Sequence, residues 1–461
     1  MSAHRKIKYA DIHAHLTLKP FLNTTNNNPS SIWKFAKTSF WGRSGKARTN
    51  MENIIKGRVK TIFVALGYIE KGWQVVNSYR FKLLNLFRNT SNLLLFLMNV
   101  NTVKIDNYFS LLLQEMDFLI RQAKPPLDVD QELKKYQLFF PHTLQDYEQA
   151  LKDNSKVIVI PTIEGANNLI NGTVSYQKPY IGIEQIKQNV KQIKKHVLRP
   201  IFITFTHHFY NGLAGHARSL YKISKFIDQE FGLGNPISKD GWKIIQCLLG
   251  LDSTCGSWRI LIDTKHFSLA ARREYYDFIS KDLNYSIPVI NSHAAYSGNL
   301  MIEQVIYPSA LFSTNQTNIS AEEVYHIWRS KGLLGINFDE KLLWTGPKIS
   351  DASIIRENII AMVQGAIDFA KKEKLVEPDE SIWDIFCIGT DFDGFINPLD
   401  SYTSPLNFSQ LEQDLIDSFS VSKQLAFLPI KIDIDKIVIK FMYENVNNFL
   451  KRYFSAINYL L

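Results

Sequence analysis

Short, nearly continuous apolar runs recur along this chain, separated by longer stretches whose apolar residues fall at helical spacing. Eight of the runs read as strands, at 7–12, 60–68, 156–162, 200–206, 259–263, 286–291, 332–338 and 385–390. Strands of a parallel sheet are buried on both faces, so they show unbroken apolar runs rather than strict alternation. Among the intervening stretches, 183–196, 272–283, 321–331 and 354–373 carry the period of amphipathic helices. This alternation predicts an α/β fold with a parallel sheet, and eight units predict closure into a (β/α)8 barrel.

The spacing is uneven. Nearly ninety residues separate the second and third runs, and 68–155 is expected to be a helical insertion into a single barrel spanning 1–461. Within it, Phe109, Leu112, Leu113, Met116, Leu119 and Ile120 follow helical spacing and are expected to pack as core or as a lid. The stretch 21–49, rich in Asn, Ser and Thr, reads as a long loop beside the barrel mouth. Amphipathic spacing from 434 predicts the last barrel helix, with 446–461 as a C-terminal tail.

The polar residues that could do chemistry sit at one end of the predicted strands. His13 and His15 follow the first, Glu164 the third, His207 and His208 the fourth, His266 the fifth, His293 the sixth and Asp391 the eighth. Side chains two apart on a strand share a face, so His13 and His15 can chelate one divalent ion. A carboxylate can place one oxygen on each of two ions, whereas a neutral imidazole serves one. Glu164 is therefore the natural bridge, with His13 and His15 on one ion and His266 and His293 on the other. Two ions so held promote hydrolysis by activating water and polarising a carbonyl. Asp391 is placed to move the proton, and His207 to donate a hydrogen bond to the oxyanion. Asp11 is expected to hydrogen-bond in the barrel wall, Asp263 to orient His266, and Asp393 to cap the turn before Gly394. His208 and His216 read as structural or solvent-facing, and His4, His142, His196 and His326 as surface groups.

Composition narrows the partners. Lys and Arg exceed Asp and Glu to give a formal charge of +9, but the excess is spread along helical stretches, which fits a solvated surface rather than a nucleic-acid groove. No run approaches the roughly 20 apolar residues of a membrane span. Cys247, Cys255 and Cys387 are too few and too oddly spaced for a disulfide framework or a cysteine zinc site. With a polar, basic start and no visible signal peptide, the expectation is a cytoplasmic enzyme acting on a small molecule, with a homodimer left open.

Several segments together resemble the membrane (renal) dipeptidase family of the amidohydrolase superfamily, peptidase family M19. They are Thr162-Ile163-Glu164-Gly165, Phe205-Thr206-His207, the run Ile262 to Ser268 containing Asp263-Thr264-Lys265-His266, Asn291-Ser292-His293-Ala294-Ala295 and the run Gly389 to Gly394 containing Asp391-Phe392-Asp393. They stand in the family's order. The resemblance implies a (β/α)8 barrel, two zinc ions bridged by Glu164, a catalytic Asp391, a substrate-contacting His207 and hydrolysis of a dipeptide. The chain departs from the family's pattern twice. His13-Ala14-His15 stands where that family has His-x-Asp, which makes the site one charge more positive. Thr317 stands where an arginine is expected to anchor the substrate carboxylate, leaving Arg218 or Arg259 as candidates for that task. The alternatives are a superfamily hydrolase acting on a lactone, cyclic amide or phosphoester, and a catalytically inactive metal-binding barrel.

Overall fold

The computed structural model describes residues 8–25, 30–34, 47–67, 69–74, 104–174, 182–220, 227–302, 311–313 and 315–458. Its strands are β1 (Tyr9–Ala14), β2 (Val59–Leu66), β3 (Gln137–Phe139), β4 (Lys156–Glu164), β5 (Phe202–Thr204), β6 (Leu261–Asp263), β7 (Ile290–Ala294), β8 (Leu333–Ile336) and β9 (Phe386–Ile388). Eight of them pair in parallel in the order β1-β2-β4-β5-β6-β7-β8-β9, and β3 adds only to the outer edge of β4. Every residue of β2 is buried, as unbroken apolar runs require.

The sheet closes without a regular β9–β1 ladder. The join lies just beyond the strands, where the Asp391 N–H donates to the His13 carbonyl and the His15 N–H to that of Phe392, each at 2.9 Å. Asp11 completes the seam: Oδ2 accepts from the Thr390 hydroxyl at 2.6 Å, and Oδ1 from the backbone N–H groups of Thr390 and His13. It is a wall residue, as expected.

Helices pack outside the barrel. Those at Ala321–Arg329 and Asp351–Lys372 form one of the larger helix pairs, the first opened by a capping box between Ser320 and Glu323. In the described part of the insertion, Tyr108–Arg121 is a helix that buries Phe109, Leu112, Met116 and Leu119. Residues 75–103 of the insertion and 35–46 of the expected loop lie outside the described residues.

Four local expectations differ from the structure. Part of the expected loop is helix: Leu18–Thr25 turns directly after β1, with Pro20 in its first turn, where a missing N–H costs nothing. The expected tail from 446 is helical to Asn458 and buries Val446, Phe449, Leu450 and Phe454. Cys247 and Cys255 are joined, because the chain turns back sharply after helix Lys239–Leu248 and brings their Cα atoms to 5.3 Å. His326 is not a surface group: its ring stacks on Tyr276 and its Nδ1 meets the Tyr285 hydroxyl at 3.0 Å.

Candidate metal centre at the barrel mouth

The ends of β1, β4, β6 and β7 and the loops after β5 and β9 converge on one cleft of about 800 Å³, including its opening to solvent. Glu164, the last residue of β4, is its centre. Oε1 lies 3.3 Å from His13 Nε2 and 3.6 Å from His207 Nε2, and Oε2 lies 3.3 Å from His15 Nε2. His293 Nε2 is 3.9 Å from Oε1, and Asp391 Oδ1 is 3.1 Å from His15 Nε2. All seven residues singled out in the sequence meet here.

Their grouping differs from the expected one. The sets whose ligand atoms approach one another closely are His13, Glu164 and His293; His13, His15 and Asp391; and Glu164, His207 and His266. His266 thus lies with His207 rather than sharing a set with His293. Glu164 and His13 each belong to two of the three sets.

His13 Nε2 sits 3.3 Å from a carboxylate oxygen, yet neither of its ring nitrogens is hydrogen-bonded, and the buried Nδ1 atoms of His15 and His266 also lack partners. Buried polar atoms are nearly always satisfied, so a His13 Nε2 left unbonded beside a carboxylate fits a divalent metal. Burial alone would raise the Glu164 carboxyl, but His207, His13 and His15 together outweigh it and hold it well below the usual carboxylate range. Burial and the charges of His207 and His208 push His266 well below its ordinary value, and burial with His13 and Lys265 does the same to His293. Neutral imidazole is the form that binds metal.

A second layer of residues fixes the ring orientations. Asp263, at the end of β6, accepts hydrogen bonds from the hydroxyls of Thr204 and Ser292, each at 2.6 Å, and from the N–H groups of Ser292 and Lys265. Ser292 Oγ also lies 2.8 Å from His293 Nδ1. Because the Ser292 proton goes to Asp263, the serine can only accept from Nδ1–H, which leaves His293 Nε2 with a bare lone pair. Asp263 therefore positions His293 through Ser292, and through the Lys265 N–H it also anchors the turn that carries His266. Two of the site residues, His266 and Asp391, hold left-handed backbone at φ 66° and 58°, a costly conformation for residues other than glycine.

Glu70 escaped the sequence reading because it lies in a loop four residues beyond β2. It is buried, its Oε2 is 2.9 Å from His207 Nδ1, and it accepts from the N–H groups of His208 and Phe209. Burial opposes charge on His207, but Glu164 and Glu70 lift it to about 9. Only the pattern of a carboxylate soon after a strand end could have flagged Glu70.

Other candidates have structural posts. Asp393 is tied to Lys19 at 2.6 Å and to the N–H groups of Arg48 and Thr49, so it anchors the neighbouring loop to the mouth. His208 is buried against Ser219, and His216 against the Gln229 carbonyl. Thr317 does line the cleft, with its hydroxyl on Asn315. Neither arginine substitutes for it: Arg218 pairs with Glu230, and Arg259 bonds the Leu249 carbonyl near the opposite end of β6.

No family model matches the sequence, and no curated protein matches it. Solved structures do match the fold. A dipeptidase of metallopeptidase family M19 superposes with a TM-score of 0.56 at 12% identity, covering 98% of this chain and 99% of that one. A metallopeptidase from Rhodobacter sphaeroides, liganded with a phosphinate mimic of the dipeptide L-Ala-D-Ala, gives 0.57 at 12% identity, with 97% and 99% covered. The probable dipeptidase PvdM from Pseudomonas aeruginosa gives 0.54 at 12% identity, with 99% and 97% covered. Over nearly its whole length, this chain has the barrel fold of the M19 metallopeptidases.

Proposed function

We propose that this protein is a metal-dependent hydrolase that cleaves the amide bond of a dipeptide or a closely related small molecule at a two-metal centre. The observation that carries the reading is Glu164, a buried carboxylate with imidazoles facing both oxygens. Glu164 would hold the divalent ions together with His13, His15, His266 and His293, with zinc the natural choice for so many nitrogens. When bound, such ions polarise the scissile carbonyl and make water a nucleophile near neutral pH.

The chain's own groups supply the rest. Asp391 projects into the cleft at the His15 end of the site, where its carboxylate takes the proton from attacking water and returns it to the leaving amine. His207, held by Glu70 through Nδ1, presents Nε2 to the oxyanion that develops on the carbonyl. The metallopeptidase structures that share the fold, among them a dipeptidase and a probable dipeptidase, support amide cleavage over the alternatives.

Elemental mass spectrometry of the purified protein, with Glu164→Gln beside it, tests the centre. About two ions per chain are expected in the wild type and a sharp loss in the variant. Dipeptides should then be hydrolysed in preference to lactones and phosphoesters. A protein that takes up no metal when zinc is offered would sink the proposal.

A further inference from the structure

Four lysines are buried among the described residues: Lys19, Lys60, Lys194 and Lys265. Three are accounted for. Lys19 pairs with Asp393 at 2.6 Å, Lys60 donates to the Asp153 and Lys156 carbonyls, and Lys194 donates to those of Cys247 and Gly256. Lys265 is different. It is 2% exposed and lines the cleft, yet its ammonium makes a single hydrogen bond, a long one of 3.3 Å to the Thr317 carbonyl, and no described carboxylate lies within ion-pair distance. An ammonium carries three donors, and a buried charge without a partner is costly to keep. Two of its protons therefore remain unspent in the cleft.

The wall around Lys265 is built rigidly. Arg272, itself buried, binds the carbonyls of Gln316 and Asn318 and the carboxylate of Glu323, so it fixes residues 316–318 against the cleft but does not itself line it. Lys265 also follows the Asp263 anchor by two residues and precedes His266, so its Cα is set by the same turn that sets a metal ligand. The ammonium is thus held at the cleft wall beside the reacting centre.

We infer that Lys265 receives the anionic end of the substrate, so that the cleft selects small amides carrying a free carboxylate and the task of the arginine missing at Thr317 passes to a lysine in the turn after β6. The inference rests on the hydrolase reading for what is cleaved, but the anion site itself is testable without turnover.

The test is calorimetric titration of metal-loaded protein with N-acetylglycine and with its neutral twin, N-acetylglycinamide. The wild type should bind the acid about 10- to 100-fold more tightly, as a charge-assisted hydrogen bond predicts. Lys265→Met should bring the acid to within about twofold of the amide while retaining its metal, and Lys265→Arg should keep part of the preference. Equal binding of acid and amide by the wild type overturns the inference whatever the variants do. So does an acid preference that survives in metal-replete Lys265→Met, because the carboxylate would then be on the metals. Dipeptide hydrolysis is scored separately. Acid binding through Lys265 without dipeptide turnover would overturn the proposed reaction and keep the anion site, whereas dipeptides and dipeptide amides hydrolysed equally would keep the reaction and overturn the site.

Discussion

Replacing Asp263 by Asn should leave the barrel folded and damage the metal centre. Two orientations are open to the new amide. In one, its nitrogen faces the N–H groups of Ser292 and Lys265, both now 3.0 Å from a carboxylate oxygen, and two buried donors lose their acceptor. That costs about 1–3 kcal/mol each, or roughly 2–6 kcal/mol together. In the other, the amide oxygen keeps both N–H groups and the nitrogen faces the hydroxyls of Thr204 and Ser292, which can rotate to accept. The second orientation wins by several kcal/mol on this count. Its consequence is chemical, because Ser292 must then donate its proton to His293 Nδ1 and the ring moves its own proton to Nε2, the atom needed for metal. Loss of such support typically costs about 10- to 100-fold in metal affinity, or about 1.4–2.8 kcal/mol. Competition against a graded chelator, read by elemental mass spectrometry, measures it, with urea melts of the apo-protein as the folding control. A metal affinity within twofold of wild type would refute the proton argument, and an unfolded variant would refute the choice of orientation.

Two further outcomes follow from the same geometry. A Cβ on Gly389 would stand 2.0 Å from the Ser292 carbonyl and 3.0 Å from the Gly335 Cα, so Gly389→Ala should destabilise the fold by more than about 2 kcal/mol in urea melts and lower metal occupancy with it. Glu115, buried and bonded by the Thr17 hydroxyl and the Gly67 N–H, is pushed up to about 7 by burial. The unfolded chain loses this proton near its ordinary 4.5 and the folded chain near 7, so the group's contribution to stability is fully present below 4.5 and is lost as pH rises to 7, then stays level. The stability of wild type relative to Glu115→Gln should fall by on the order of 3 kcal/mol between pH 4.5 and pH 8; a difference that does not change with pH would contradict the assignment.

What could be read without coordinates was what depends on the chain's own periodicity. The apolar runs locate all eight barrel strands, because strands buried on both faces cannot hide their composition. The residues just after those strands converge at the mouth for the same reason. Relations between strands were less legible. That Asp263 serves His293 on the next strand depends on the position of Ser292, and that Glu70 reaches His207 depends on how a loop folds back. The grouping of His266 with His207 is likewise set by a left-handed turn at His266, which no residue type announces. Helix Leu18–Thr25 is hidden by its Asn and Thr residues, and the Cys247–Cys255 bond depends on where helix Lys239–Leu248 ends and how the chain turns after it.

The seam at Asp11 bears on how the protein is made. β1 leaves the ribosome first and β9 almost last, yet the contacts that set the backbone of His13 and His15 come from Thr390, Asp391 and Phe392. Until residues 390–392 have been synthesised, the first two imidazoles have no wall to stand against and Asp391 does not exist. A chain cut short before 390 would therefore carry six of the seven candidate groups on a barrel that has no way to close.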